Sequence, residues 1–230
     1  MRVRHAVRLV LWAALAALVA LHLYYALMIG WWRDHPPRET AFMSERIAVL
    51  HVRDPHATLH YRFVPYTRIS IALKRAVIAA EDAKFVEHEG FDWDGIALAL
   101  EKNERRGHIV AGGSTISQQL AKNLFLSGSR TWLRKGEEAV ITVMLESILD
   151  KRRIFELYLN VIEWGNGIFG AEAASERYFR IPASRLDAAQ AARLAAMAPN
   201  PRYYERHPDA PGLRRKIGII LARMPAADLP

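Results

Sequence analysis

Two acids stand together where an apolar run ends: Glu81 and Asp82 directly follow IALKRAVIAA. Acids are unfavourable at a helix C-terminus, whose carbonyl ends already carry partial negative charge. Surface stability alone favours Lys or Arg there. Their placement therefore calls for a reason other than local stability. Burial and the helix C-terminus would both raise the pKa of a carboxylate there. A further acid, Glu138, lies in RKGEE, four and three residues after Arg134 and Lys135. Helical spacing puts both cations beside it. The bland account is a helical ion pair worth about 0.2–0.5 kcal/mol. Cation before acid is the weaker order, however, and both cations lie near the positive end of their helix. That arrangement makes better sense where an anion docks, and Arg130 in the preceding loop adds to the patch.

GGSTISQQLAKNLFL, residues 112–126, supplies a second polar face. Ser114 is a candidate N-cap after two glycines. Ile116, Leu120 and Leu124 form one helical stripe, and Thr115, Gln119 and Lys122 form its neighbour. An ordinary solvated face and a phosphate or sugar cradle at a helix N-terminus both fit this spacing. It is not a Walker P-loop, because its lysine lies far inside the helix.

These side chains need elements to hold them. The spacing predicts helices after Ser114, after Thr131 as N-cap, through KRRIFELYLN at 151–160, and after Asp187. Asp187 and Gln190 have capping-box spacing. WGNGIFG gives three close glycines, a tight turn and then a new helix, and a short extended piece is expected near YRFVPY. Alanine-dense AARLAAM implies close helix packing, ended by Pro199 and Pro201.

The whole chain has 230 residues, 51% hydrophobic, enough for one domain with a real core. There is no cysteine, which excludes a disulfide framework and a thiolate metal site. A net charge of +8 suits an anionic partner: nucleic acid, anionic lipid or a phosphate-bearing substrate. Arg2, Arg4 and Arg8 precede an uncharged apolar run over 9–32, long enough to cross a bilayer. The arginines predict a cytoplasmic N-terminus, and Trp31-Trp32 suits the far interface. A cleaved signal peptide is the rival reading. The expected organisation is a short cytoplasmic end over 1–8, an anchor over 9–32, a linker over 33–41 carrying Pro36-Pro37, one mainly α domain over 42–223, and a frayed tail over 224–230.

Five stretches, in order, resemble the motifs of one family, the monofunctional biosynthetic peptidoglycan glycosyltransferases, which share their domain with bifunctional penicillin-binding proteins. EDAKFVEHEG resembles EDxxFxxHxG, GGSTISQQLAKN resembles GGSTxxQQxxKN, and RKGEE resembles RKxxE. KRRIFELYLN is similar to KxxILExYLN, with Phe155 where Leu is usual, and LDAAQAARLAAMAPNP resembles the last motif. The likeness runs from Trp32 to Pro208. It implies a lysozyme-like, largely helical fold and an N-terminal anchor. The implied substrates are lipid II, a disaccharide-peptide on a polyprenyl diphosphate, and the growing lipid-linked glycan. It further implies Glu81 as base and Glu138 as second catalytic carboxylate. Lys135, Lys122 and Arg130 are implied for the diphosphate, supported by Arg134, Ser114, Thr115, Gln119 and Asn123. Asp82 is implied to tune or orient Glu81, and Phe85 and His88 to shape the loop beside the substrate; His88 has no HExxH-type companion for zinc. No cofactor is obligatory on this reading. An Mg2+ or Mn2+ ion bridging diphosphate oxygens is compatible with the chemistry, although the sequence has no dedicated metal motif. Penicillin-binding transpeptidases and cell-division proteins are the implied protein partners, at a bacterial inner membrane with the domain in the periplasm; nucleic acid is not expected. A glycan-cleaving lysozyme-like enzyme and a non-catalytic membrane-anchored scaffold remain as alternatives.

Overall fold

Helix α1 (Arg2–Trp32) carries a stretch, Arg4–Trp32, long and apolar enough to cross a membrane. Its side chains are exposed over most of its length. Its last turns behave differently. Tyr25, Ile29 and Trp32 lie on one face, at i, i+4 and i+7, and are buried against the rest of the protein. Tyr25 and Trp32 pack on Phe125, with ring centroids 4.7 and 5.2 Å away. Arg153 closes the helix end by donating to the carbonyls of Trp32 at 2.7 Å and His35 at 2.8 Å. The expected pair of interfacial tryptophans is therefore split. Trp32 is a core residue, while Trp31 is exposed and stacks on His35.

The computed structural model describes residues 2–108, 112–129 and 131–230. Among these the order continues with α2 (Ala41–His51), β1 (His60–Tyr61), α3 (Ile71–Glu81), α4 (Trp93–Arg106), α5 (Ile116–Phe125) and α6 (Trp132–Ile148). Then follow α7 (Lys151–Val161), β2 (Glu163–Gly165), β3 (Ile168–Phe169), α8 (Ala171–Phe179), α9 (Ala188–Met197), α10 (Pro201–Arg206) and α11 (Pro211–Arg223). The mainly helical class expected from the sequence is the one observed.

The core is built around α3, α5, α7 and α9. The α5 stripe of Ile116, Leu120 and Leu124 is buried as its spacing predicts, facing α6 and α7. Helix α3 packs on α9, where Ala76 and Ala79 meet a helix carrying Ala191, Ala192, Ala195 and Ala196. Small residues on both helices let the backbones approach closely, which explains the alanine density. Thr131 caps α6, and Asp187 with Gln190 forms the predicted capping box on α9.

The tight turn and new helix expected at WGNGIFG are observed, with strands around the turn, and two other expectations are corrected. The glycine-rich WGNGIFG is a β2–β3 hairpin, and β1 joins β3 in parallel to make a small sheet in the order β1-β3-β2. Gly170, at φ 83°, leaves no room for a side chain, since a Cβ would come within 2.5 Å of the Asn160 carbonyl oxygen. Thr115 rather than Ser114 caps α5, in a capping box with Gln118. The tail does not fray: residues Met224–Ala226 form a 3-10 turn, Met224 and Ala227 are buried, and Tyr66 donates its hydroxyl to the Pro230 carbonyl.

Candidate active site

Glu81 is the last residue of α3 and Asp82 its C-cap. The two adjacent acids do different work. Asp82 is buried and accepts the backbone N–H of Ile116 at 3.0 Å, which binds the end of α3 to the start of α5. Its other partner is His88, whose Nε2 lies 3.0 Å from Oδ1. His88 thus orients Asp82 within the loop, and Asp82 is a positioning residue. Phe85 is fully buried against Phe155 and corrects the expectation that it borders the substrate: it belongs to the core. Gly90 closes this loop at φ 90°, and its carbonyl accepts the Thr115 hydroxyl at 2.7 Å. Thr115 is buried, with its oxygen committed to that bond and to the α5 cap, so it sets loop geometry.

Glu81 itself is half-buried and points at open space. One oxygen accepts the Gln119 side-chain N–H at 2.8 Å, and the Gln119 carbonyl oxygen accepts the Tyr158 hydroxyl at 3.1 Å. Tyr158 is buried, so this chain fixes the amide with its N–H towards the carboxylate. Burial is the dominant influence and pushes the Glu81 pKa up; the Gln119 bond and the charges of Lys216 and Lys122 pull it back only in part. Glu81 therefore has the raised pKa that its sequence position suggests.

Two cavities meet at Glu81. A small one, about 110 Å³, is bordered by Asp82, Gly113 and Ser114. A larger one, about 380 Å³, mixes apolar walls at Ala80 and Ile219 with the cations Lys216 and Arg223. A third cavity of about 380 Å³ is lined by Gln119, Lys122, Asn123, Tyr158, Asn200 and Arg202. Cavities of this size accept a sugar ring.

Glu138 is buried on α6 under two cations. Arg134 donates to one oxygen at 2.6 Å, and Lys135 donates to the other. Lys135 also reaches the Ser114 hydroxyl at 3.3 Å, which links α6 to the loop before α5. The Nε of Arg134 is buried and has no hydrogen-bond partner among the described residues. Lys122 feels both carboxylates. Its pKa is lowered, first by burial, and then by Arg134 and Lys135 against the opposing pull of Glu138 and Glu81. Lys122 is thus the cation between the two acids. Asn123 donates to the Gln119 backbone carbonyl at 2.7 Å. Arg130 lies outside the described residues. Among those residues no cluster of three or more carboxylates or histidines could hold a metal ion.

The structure brings together nearly every predicted side chain and adds others. Tyr158 lies within KRRIFELYLN, but no sequence feature singled it out as a site residue. Lys216 and Arg223 belong to no motif, and only the packing of α11 against α3 carries them to Glu81.

Comparison with known proteins identifies the family. The transglycosylase family model matches residues 49–225. The chain belongs to the transglycosylase family. The biosynthetic peptidoglycan transglycosylase of Chromobacterium violaceum is 64% identical over 225 residues, covering 96% of this chain and 99% of that protein. Those of Dechloromonas aromatica and Methylobacillus flagellatus are 60% and 64% identical, covering 94% and 93% of this chain. The transglycosylase match thus takes in both catalytic candidates, Glu81 and Glu138, and the hydrogen-bonding chain behind Glu81.

Proposed function

We propose that this transglycosylase polymerises lipid II into β-1,4-linked glycan strands, by a single displacement that inverts the α-linked donor. The acceptor sugar's 4-hydroxyl attacks the donor's anomeric carbon while Glu81 takes the hydroxyl proton. The bond to the diphosphate breaks, and the polyprenyl diphosphate leaves as an anion. The observation that carries this reading is the pairing of a raised-pKa carboxylate with a separate cationic cradle. Lys122, Arg134 and Lys135 are already in place, so they stabilise charge as it builds on the leaving group without reorganising. Glu138 holds Arg134 and Lys135 in position through one ion pair to each. The unpartnered Arg134 Nε gives the cradle one further donor for a phosphate oxygen.

A bound Mg2+ or Mn2+ ion would be held mainly by the diphosphate oxygens. Both Glu138 oxygens already receive cations, so the side chains form a cationic cradle and not a dedicated metal site. A retaining glycosidase needs an acid to protonate a sugar oxygen, and it has no use for three cations at a departing group. That difference favours synthesis over cleavage.

The anchor places the domain beside a lipid-borne substrate. Helix α6 packs on α1, and at its start Trp132 and Leu133 are almost fully exposed, which suits contact with the same membrane. The N-terminal arginines orient α1 with its start in the cytoplasm, leaving the catalytic domain on the periplasmic face of an inner membrane. Cross-linking would fall to penicillin-binding transpeptidases, with cell-division proteins as further partners.

The test is polymerisation of labelled lipid II by the full chain in detergent, with and without added Mg2+ or Mn2+, beside Glu81→Gln. Long glycan from the parent is expected, with the variant slowed about 10²–10⁴-fold, the range for loss of a general base. A folded parent that makes no polymer under either condition overturns the reading. An equally active variant overturns the base assignment.

A further inference from the structure

A cavity of about 710 Å³ lies away from Glu81. It is lined by Arg53, Arg177, Arg202 and Arg206, with Glu205 the one carboxylate in its wall. Arg53 follows α2, Arg177 lies on α8, and Arg202 and Arg206 lie on α10. The single acid is largely committed. Glu205 accepts the Asn166 backbone N–H at 2.8 Å and stands 3.7 Å from Arg177. Arg202 approaches Glu163 only at 3.9 Å, and Glu163 is already held by Arg46 at 2.7 and 3.0 Å. Arg206, also in the recess wall, donates its Nε to the Arg202 carbonyl at 3.1 Å. Four guanidiniums converge with little countercharge, an arrangement that repels itself unless anions enter.

This recess adjoins the catalytic cleft. Asn200 and Arg202 line both it and the cavity of Gln119, Lys122 and Tyr158. The anchor's principal partner is α6, whereas α8, α10 and the turn after α2 build the recess. A polymer leaving the cleft past Asn200 would meet the arginine-lined recess. We propose that this recess grips the carboxylates of the stem peptides on the growing glycan, an inference that rests on the polymerase reading above. Guanidiniums pair with carboxylates through planar two-point hydrogen bonds, so the arginines recognise stems without reading the neutral sugars. Exposed sites of this kind hold weakly and release easily, which suits a strand that must slide.

The experiment measures binding of labelled, lipid-free glycan strands to the full chain in detergent, by fluorescence anisotropy. Two strands are compared, one with free stem carboxylates and one with those carboxylates amidated. Wild type is expected to bind the carboxylate strand about fivefold more tightly, the effect of two exposed ion pairs. Arg53→Gln/Arg206→Gln is expected to bind both strands alike, and Arg53→Lys/Arg206→Lys to recover part of the preference. Because both positions are exposed, thermal unfolding should show the variants folded. Equal binding of the two strands by wild type, an undiminished preference in the glutamine variant, or no strand binding at all each overturns the proposal. Polymerisation of lipid II by the same wild-type sample separates the two readings. Glycan made without any stem preference refutes the recess alone, and no glycan refutes the polymerase.

Discussion

The Gln119 hydrogen bond favours the ionised form of Glu81, the proposed base, and removing it should move the pH at which the enzyme switches on. Its N–H donates to Glu81 at 2.8 Å, and its carbonyl oxygen accepts from Tyr158. Gln119→Leu alone would strand a buried tyrosine hydroxyl at a cost of about 1–3 kcal/mol. The cleaner perturbation is Gln119→Leu with Tyr158→Phe, which removes both ends of the chain at nearly constant shape. A hydrogen bond to a charged group contributes about 1.5–3 kcal/mol, and one pKa unit is about 1.36 kcal/mol. Glu81 keeps the attraction of Lys122 and Lys216, so the lower end applies. The sign follows from the proton. The lost bond favoured the charged carboxylate, so its removal raises an already raised pKa. A general base works deprotonated, and the rate climbs as pH rises through that pKa. The acid limb of kcat should therefore move to higher pH by about one unit. Initial rates of lipid II consumption across pH, in a folded double variant, measure it. An unmoved limb, or one moved to lower pH, would show that Glu81 is not the titrating base.

Stability should report on the same group. Because the folded pKa of Glu81 lies above its ordinary value, the native state loses stability as pH rises from the ordinary glutamate range through that raised pKa. Glu81→Gln should therefore melt higher than wild type at neutral pH, and the gap should close in acid below the ordinary range. Paired thermal scans at the two pH values check this. Asp82→Ala should destabilise the protein by about 1.5–3 kcal/mol in urea unfolding, because it strands the Ile116 N–H and frees His88. Asp82→Asn, which keeps an acceptor, should lose less. Gly90→Ala forces a side chain into φ 90° with its Cβ 2.8 Å from a Thr142 methyl, so a loss of about 1–3 kcal/mol is expected. A midpoint within error of wild type would mean that the loop relaxes freely.

Much of this protein is readable before folding, because its signals are local. Charge-free length gives the anchor helix. Cap residues give the starts of α6 and α9, since Thr131 and Asp187 bond backbone within their own first turns. The i, i+4, i+8 apolar stripe gives the buried face of α5, and three-and-four spacing gives the Glu138 cluster. The odd placement of Glu81 and Asp82 marks the site, because local stability offers no reason for it.

Other features depend on what arrives from elsewhere in the chain. Spacing could not divide the labour between Glu81 and Asp82. That division depends on Ile116 and His88 claiming one acid while Gln119 claims the other. Phe85 looks like a site residue by position, and only Phe155 beside it makes it core. Trp32 matches an interfacial anchor until Phe125 covers it. Lys216 and the recess arginines come from α11, the turn after α2, α8 and α10, elements with no shared pattern. Sequence determines which helices form and which faces they bury, because those energies come from neighbours three or four residues away. Tertiary structure decides which cation meets which acid, because charge and burial act through space and not along the chain.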